Sequence, residues 1–243
     1  MIDAILLTTV RVFTFSQGGA LSNASGVLFE RGERLFLVTS GHVLFDELSK
    51  HFPDRIEIEL HIDAANLGAS TSFSIPLYRG GERVWRLGQD AAGEVDVAAI
   101  EIDRSALPVH ALYRAFSPRH LLRPSLPVEI GSSLLVVGYP LGFHDTLHHL
   151  PVVRQAVVAS SFGLRFQGLG VFLTDARTHR GTSGAPVVMR VDDENGELDG
   201  LPWLLLGIHA SRFDIGSRDL ELDEALGLNC AWYADILMSL TAG

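Results

Sequence analysis

Apolar residues in this chain fall in short runs, each bounded by glycine, proline or a small polar cluster. Ala4 to Phe15, rich in Thr, Val and Phe, reads as a strand, and Ser16 to Ser25, with Gly18, Gly19 and Asn23, as a turn. Gly26 to Glu30, the turn Arg31-Gly32-Glu33 and Arg34 to Thr39 form a hairpin, after which His42 to Leu48 reads as one helical turn. Ile56 to Ile62 alternates apolar and charged residues, the period of a half-exposed strand. Phe73 to Leu77 and Glu82 to Leu87 are expected to pair as a hairpin around Arg79-Gly80-Gly81, and Val95 to Ile102 closes this first group. Short, turn-separated strands with little helix predict an all-β barrel.

Ser105 to Pro127 carries Pro108, Pro118, Pro124 and Pro127 and no clear period, so it reads as a link. Strands resume at Ser133 to Gly138, Val152 to Ala159, Leu169 to Thr174, Pro186 to Val191 and Trp203 to Ala210. Leu226 to Tyr233 is mixed, and Trp232 to Leu240 reads as a closing helix. The expected division is 1–115 and 116–243, each half a barrel. A chain of 243 residues is long enough for one large domain or two small barrels sharing an interface.

Three stretches carry candidate chemistry. Arg180-Gly181-Thr182-Ser183-Gly184-Ala185-Pro186 sets a serine between glycines that can turn tightly and free backbone N–H groups. An apolar strand ends in Thr39-Ser40-Gly41-His42, and Asp96 heads Val97-Ala98-Ala99-Ile100. A serine hydroxyl needs a neighbouring base, and the base needs an acceptor on its far nitrogen to fix its tautomer. Alone, each residue has a plainer reading: a core histidine, a turn aspartate, a loop serine. Asp90, Glu94 and Asp103 are nearby alternatives to Asp96, but only Asp96 directly precedes the Val-Ala strand.

In the order His, Asp, Ser, these motifs resemble those of the chymotrypsin-like serine proteases, over roughly Val10 to Leu240. The resemblance implies two antiparallel six-stranded barrels with a short C-terminal helix, and an endopeptidase working through an acyl-enzyme. It implies His42 as base, Asp96 as its orienting partner and Ser183 as nucleophile, with the N–H groups of Gly181 and Ser183 as oxyanion donors. Gly138-Tyr139-Pro140-Leu141-Gly142 resembles a segment of bacterial trypsin-like peptidases. Gly207-Ile208-His209 resembles the pocket strand of glutamyl endopeptidases, which also carry a threonine at the position of Thr178. His209 and Thr178 are therefore expected to receive Glu or Gln before the scissile bond; the alternative is that His209 is a polar residue on a strand edge and the pocket takes small or apolar side chains. Arg177 stands where Lys- and Arg-specific members carry an acid at the pocket base, which argues against tryptic specificity. One departure is Ala185, where digestive members usually have Gly.

Composition narrows the partners. A net charge of −10 argues against nucleic acid and anionic membranes, leaving a polypeptide substrate and an unidentified regulatory partner or trigger as the expected partners. Cys230 is the only cysteine, so no internal disulfide can form; it is expected to be a buried, inert thiol. Met1 to Val10 lacks the basic start and cleavage site of a signal peptide, so a cytoplasmic location is expected, with a trimmed secreted form as the alternative. No cofactor is expected. His144, His148 and His149 cluster after Tyr139-Pro140, but Leu150-Pro151 interrupts any helix and the sequence offers no third metal ligand. Two other readings compete: a protease fold used as a latent binding or sensing module, and an α/β-hydrolase esterase. The esterase would need Gly-x-Ser-x-Gly with Asp and His following, which this chain lacks.

Overall fold

In the computed structural model, which describes residues 2–122, 126–210 and 227–242, the apolar runs become strands of two sheets. The first sheet uses β1 (Thr9–Ser16), β2 (Gly19–Arg31), β3 (Arg34–Thr39) and β4 (Arg55–His61). It is completed by β5 (Ser70–Pro76), β8 (Trp85–Asp90) and β9 (Gly93–Ile102). Their order is β5-β4-β1-β2-β3-β9-β8, every pair antiparallel. The ends of this curled sheet meet where Val84 N–H donates to the Leu77 carbonyl at 3.0 Å.

Three sequence expectations change here. Ala4–Leu7 is a 3-10 turn capped by Asp3, so β1 starts only at Thr9. The turn expected over Ser16 to Ser25 shrinks to Gln17 and Gly18, both left-handed at φ 50° and 83°, and the rest becomes the start of the long strand β2. The segments expected as one hairpin pair elsewhere: β5 with β4, and β8 with β9. Between them lies only the two-residue ladder of β6 (Tyr78–Arg79) and β7 (Glu82–Arg83), turning at Gly80 and Gly81. The seven strands of the sheet correspond to the seven runs read from the sequence, where the family resemblance implied six.

The second sheet comprises β10 (Ser133–Gly138), β11 (Val152–Val157), β12 (Val171–Thr174), β13 (Pro186–Arg190), β14 (Trp203–His209) and β15 (Asn229–Tyr233). Their order is β11-β10-β13-β14-β15-β12. A Val158–Thr174 bridge and the Ala159 N–H to Leu173 carbonyl bond (2.9 Å) join its two ends, closing a six-stranded barrel. Among the described residues, two short α-helices accompany the sheets: α1 (Gly41–Leu44) and α2 (Ile236–Leu240). Each is shorter than the sequence suggested; β15 claims residues to Tyr233, so the closing helix starts only at Ile236. Pro124 of the expected link and Leu226 of the mixed segment lie outside the described residues.

Each sheet wraps its own apolar interior. Val12, Leu28, Leu37, Ile58 and Ile100 fill the first, and Leu134, Val136, Phe172, Val187 and Leu206 the second. A third cluster lies between the sheets, where Phe29, Phe36, Val97 and Phe116 meet Val188, Leu205 and Ile208. Burying a side chain of this size is worth about 1.5–3 kcal/mol. Leu237 and Leu240 of α2 join the same cluster, and Arg31 Nη1 donates to the Met238 carbonyl at 2.6 Å, so α2 returns to the first sheet. This shared core holds the two sheets in one fixed relation, and the candidate site lies along their seam.

Candidate active site

His42 is placed by the end of β3. The strand stops at Thr39, Ser40 sits at the helix N-cap position, and α1 begins at Gly41. A Cβ on Gly41 would lie 2.5 Å from Leu87 Cδ1 and 3.0 Å from Asp96 Oδ1, so only glycine lets α1 come this close to β9. Asp96 is aimed by an irregularity in the β8–β9 ladder. Leu87 pairs with Ala98 and Gly88 with Val95, so Asp96 and Val97 bulge out of register. Asp96 thereby grips His42 twice. Its Oδ1 accepts the His42 backbone N–H at 2.8 Å, and its Oδ2 lies 2.7 Å from Nδ1. Because a carboxylate can only accept, Nδ1 carries a proton and Nε2 is the basic nitrogen of the ring.

Burial, the largest single influence on the His42 ring, favours its neutral form. The hydrogen bond to Asp96 and the charges of Asp96 and Asp46 together outweigh it and hold the imidazole above its ordinary 6.5. Cys230 is buried behind this pair; burial and then the Asp96 charge push its thiol up to about 12.

Ser183 comes from the second sheet, on the turn before β13. Gly181 (φ 91°) and Gly184 (φ 84°) shape that turn, and neither position accepts a side chain. A Cβ on Gly181 would lie 2.6 Å from the Tyr139 carbonyl oxygen; one on Gly184 would lie 2.2 Å from that of Ser25. The turn is fastened by Ser25 from across the seam and by residues of its own half. Ser25 N–H donates to the Ser183 carbonyl at 3.0 Å, Ser25 Oγ to the Gly181 carbonyl at 2.8 Å, and Gly184 N–H to the His209 carbonyl at 2.9 Å. Leu141 N–H donates to the Arg180 carbonyl at 2.5 Å. In a trans peptide the N–H points opposite the C=O, so this bond fixes the direction of the Gly181 N–H. The N–H groups of Gly181 and Ser183 donate to no acceptor among the described residues.

His42, Gly181, Ser183, Thr178 and His209 all line one cleft of about 430 Å³. Sequence reasoning missed several of its other lining residues: Ser22, Asn23, Asp46, His51 and Arg180. Ser22 and Asn23 were hidden because their segment reads as a turn, and Arg180 because the pocket argument fell on Arg177. Arg177 is exposed and is not among the cleft residues. A groove of about 530 Å³ lies elsewhere, along Asp90, Phe162, Tyr233 and Ile236, and holds none of the three candidate residues.

His209 is 1% exposed, and its Nδ1 has no partner among the described residues. Burial, then the charge of His42, pushes the ring down to about 4, so it is neutral near pH 7. Thr178 is placed differently from expectation: its hydroxyl donates to Asn229 Oδ1 at 2.6 Å, and the Asn229 amide donates to the Ala176 carbonyl. Its single proton is committed, and its free lone pairs can only accept.

Two curled antiparallel sheets, with a histidine and an aspartate from the first facing a serine turn from the second, define the chymotrypsin-like class of fold. The trypsin-like peptidase domain family matches residues 24–201, and the chain belongs to that family. Among solved structures, a serine endoprotease from Yersinia pestis is similar over 97% of this chain, at 18% identity and a TM-score of 0.56. The chain spans 62% of that protein's length. An inactive form of Rv3671c from M. tuberculosis, a serine-to-alanine mutant, is similar over 98% of this chain and 86% of its own, at 14% identity and a TM-score of 0.51. No curated protein matches the chain.

Proposed function

We propose that the chain is a serine endopeptidase that cleaves polypeptides through an acyl-enzyme. In this reading Ser183 Oγ attacks the scissile carbonyl carbon and His42 Nε2 takes its proton. Asp96 holds the tautomer and stabilises the imidazolium, and the N–H groups of Gly181 and Ser183 receive the oxyanion. His42 then returns the proton to the leaving amine, and water releases the acyl group by the same steps. The observation that carries this reading is the double grip of Asp96 on His42, whose ring lines the same cleft as Ser183.

Substrate choice follows from His209 and Thr178. The neutral His209 ring offers one N–H, and Thr178 Oγ1 offers lone pairs while Asn229 holds its proton. A donor beside an acceptor matches a side-chain amide better than a carboxylate, which can only accept. Cleavage therefore favours Glu or Gln before the scissile bond, with Gln ahead of Glu. Treatment with a fluorophosphonate tests the activity: Ser183 becomes labelled in the wild type and not in His42→Ala. Absence of labelling under every condition tried would leave a protease fold used for binding.

A further inference from the structure

His144 and His149 stand in the loop between Gly142 and Leu150, and the sequence gives them no third partner. The fold supplies one from the other sheet. Glu59 of β4 brings a carboxylate oxygen to the two imidazoles, and one ligand atom from each residue lies within 4.8 Å of the other two. We propose that Glu59, His144 and His149 bind a divalent transition-metal cation of the zinc class.

The donor set suits such an ion: two imidazole nitrogens and a carboxylate bind zinc with one position left for water. The outer contacts also fit. His144 Nδ1 lies 2.7 Å from the Gly142 carbonyl, which can only accept, so Nδ1 bears the proton and Nε2 offers a lone pair. Arg11 Nη1, 3.4 Å away, agrees with that assignment, since a guanidinium can only donate. His149 Nδ1 lies 2.8 Å from Glu59 Oε1, and Ser70 Oγ donates to the same oxygen at 2.9 Å. Zinc bonds of about 2.0–2.1 Å place tetrahedral ligands about 3.4 Å apart. His149 and Glu59, now 2.8 Å apart, must therefore part slightly. A proton leaves His149 or moves to its other nitrogen as the ion enters. Arg11 is the cation now beside the cluster, and it must withdraw along its flexible stem.

The ion would tie β4 to a loop already fixed there by His61 Nε2, which bonds the His148 carbonyl at 2.7 Å. That loop continues directly from Leu141, whose N–H holds the Arg180 carbonyl. The site therefore bears on the geometry of the serine turn without touching it.

The test is a Co²⁺ titration of the full chain carrying Ser183→Ala, followed by visible d–d absorption and then by Zn²⁺ competition. Peptidase activity plays no part in the readout. One saturating equivalent displaced by Zn²⁺ is expected. Glu59→Gln and His144→Ala should each weaken binding by at least about tenfold. His148→Ala, whose ring pairs with the exposed Asp145, should leave it unchanged. Arg11→Gln, which removes the competing charge, should tighten it. No saturable band, or a band that survives Glu59→Gln combined with His144→Ala, overturns the proposal. Glu59→Gln keeps the shape and an acceptor for Ser70, so a folded protein with lost binding reports on ligation.

Discussion

Ser25 Oγ donates to the carbonyl oxygen of Gly181 at 2.8 Å, across the seam between the two sheets. The same hydroxyl accepts the Tyr139 N–H at 3.0 Å, and it is fully buried. One side chain of the first sheet thus fixes both segments that shape the serine turn. Ser25→Ala leaves a carbonyl and an N–H without partners in a dry seam. We expect a loss of about 1–3 kcal/mol in urea unfolding, together with a lower kcat against any cleaved peptide. Full stability and full kcat would show that the turn orders itself without Ser25.

Gly181→Ala tests the turn from the other side. The new Cβ would meet the Tyr139 carbonyl at 2.6 Å in a backbone region that side chains rarely adopt. The Gly181 N–H should move away from the developing oxyanion, and kcat should fall by about 10²–10³. KM should change far less. Equal losses in binding and turnover would point instead to a collapsed cleft.

Asp96→Asn removes the charge that holds the His42 imidazole above 6.5. The base must be neutral to accept the Ser183 proton, so activity rises as pH rises through the His42 pKa. In Asp96→Asn that rise should move to lower pH, and the plateau should fall by about 10⁴ in kcat, the loss seen when such an aspartate is neutralised. A pH–rate profile with an unmoved acid limb would remove Asp96 from its assigned role.

Ser183→Ala and His42→Ala should each abolish most hydrolysis, and the double variant should be little worse than either, because groups acting as one unit are not additive. Multiplying losses would mean that the unit is misassigned.

His209 gives two separable signatures. Its ring stays neutral down to about pH 4 in the folded chain but protonates near 6.5 when unfolded. The unfolded state therefore binds more protons in that window, and stability falls as pH falls through it. Between pH 7 and pH 5 the expected loss is about 2 kcal/mol. His209→Gln should flatten that slope in urea unfolding. In a peptide library it should also lose the Gln preference more than the overall rate. Lys, Arg or large aromatic residues before the scissile bond would refute the pocket assignment.

What the sequence made legible was local and repeated. Apolar runs bounded by turn residues gave most strands of both sheets, and the motifs around His42, Asp96 and Ser183 marked the residues that the seam brings together. What stayed hidden depends on distant pairing. Ser25 sat in a glycine-rich stretch indistinguishable from a turn until β1 and β3 gave β2 its neighbours. The proton of Thr178 goes to Asn229, across 51 positions, which no local pattern predicts. Glu59 reads as the charged face of an alternating strand, and only the fold sets it against His149.

The place of α2 constrains the order in which the molecule can be made. Leu237 and Leu240 share one apolar cluster with Ile5, Phe29 and Phe36, and Arg31 bonds a carbonyl of that helix. A nascent chain emerging from the ribosome can pair β1, β2 and β3 early, but the seam cluster lacks Leu237 and Leu240 until residues 236–240 have been synthesised. Contacts between positions so far apart close slowly and late. A partly synthesised chain would therefore lack the complete seam that brings His42 and Ser183 to one cleft, and with it the proposed hydrolytic site.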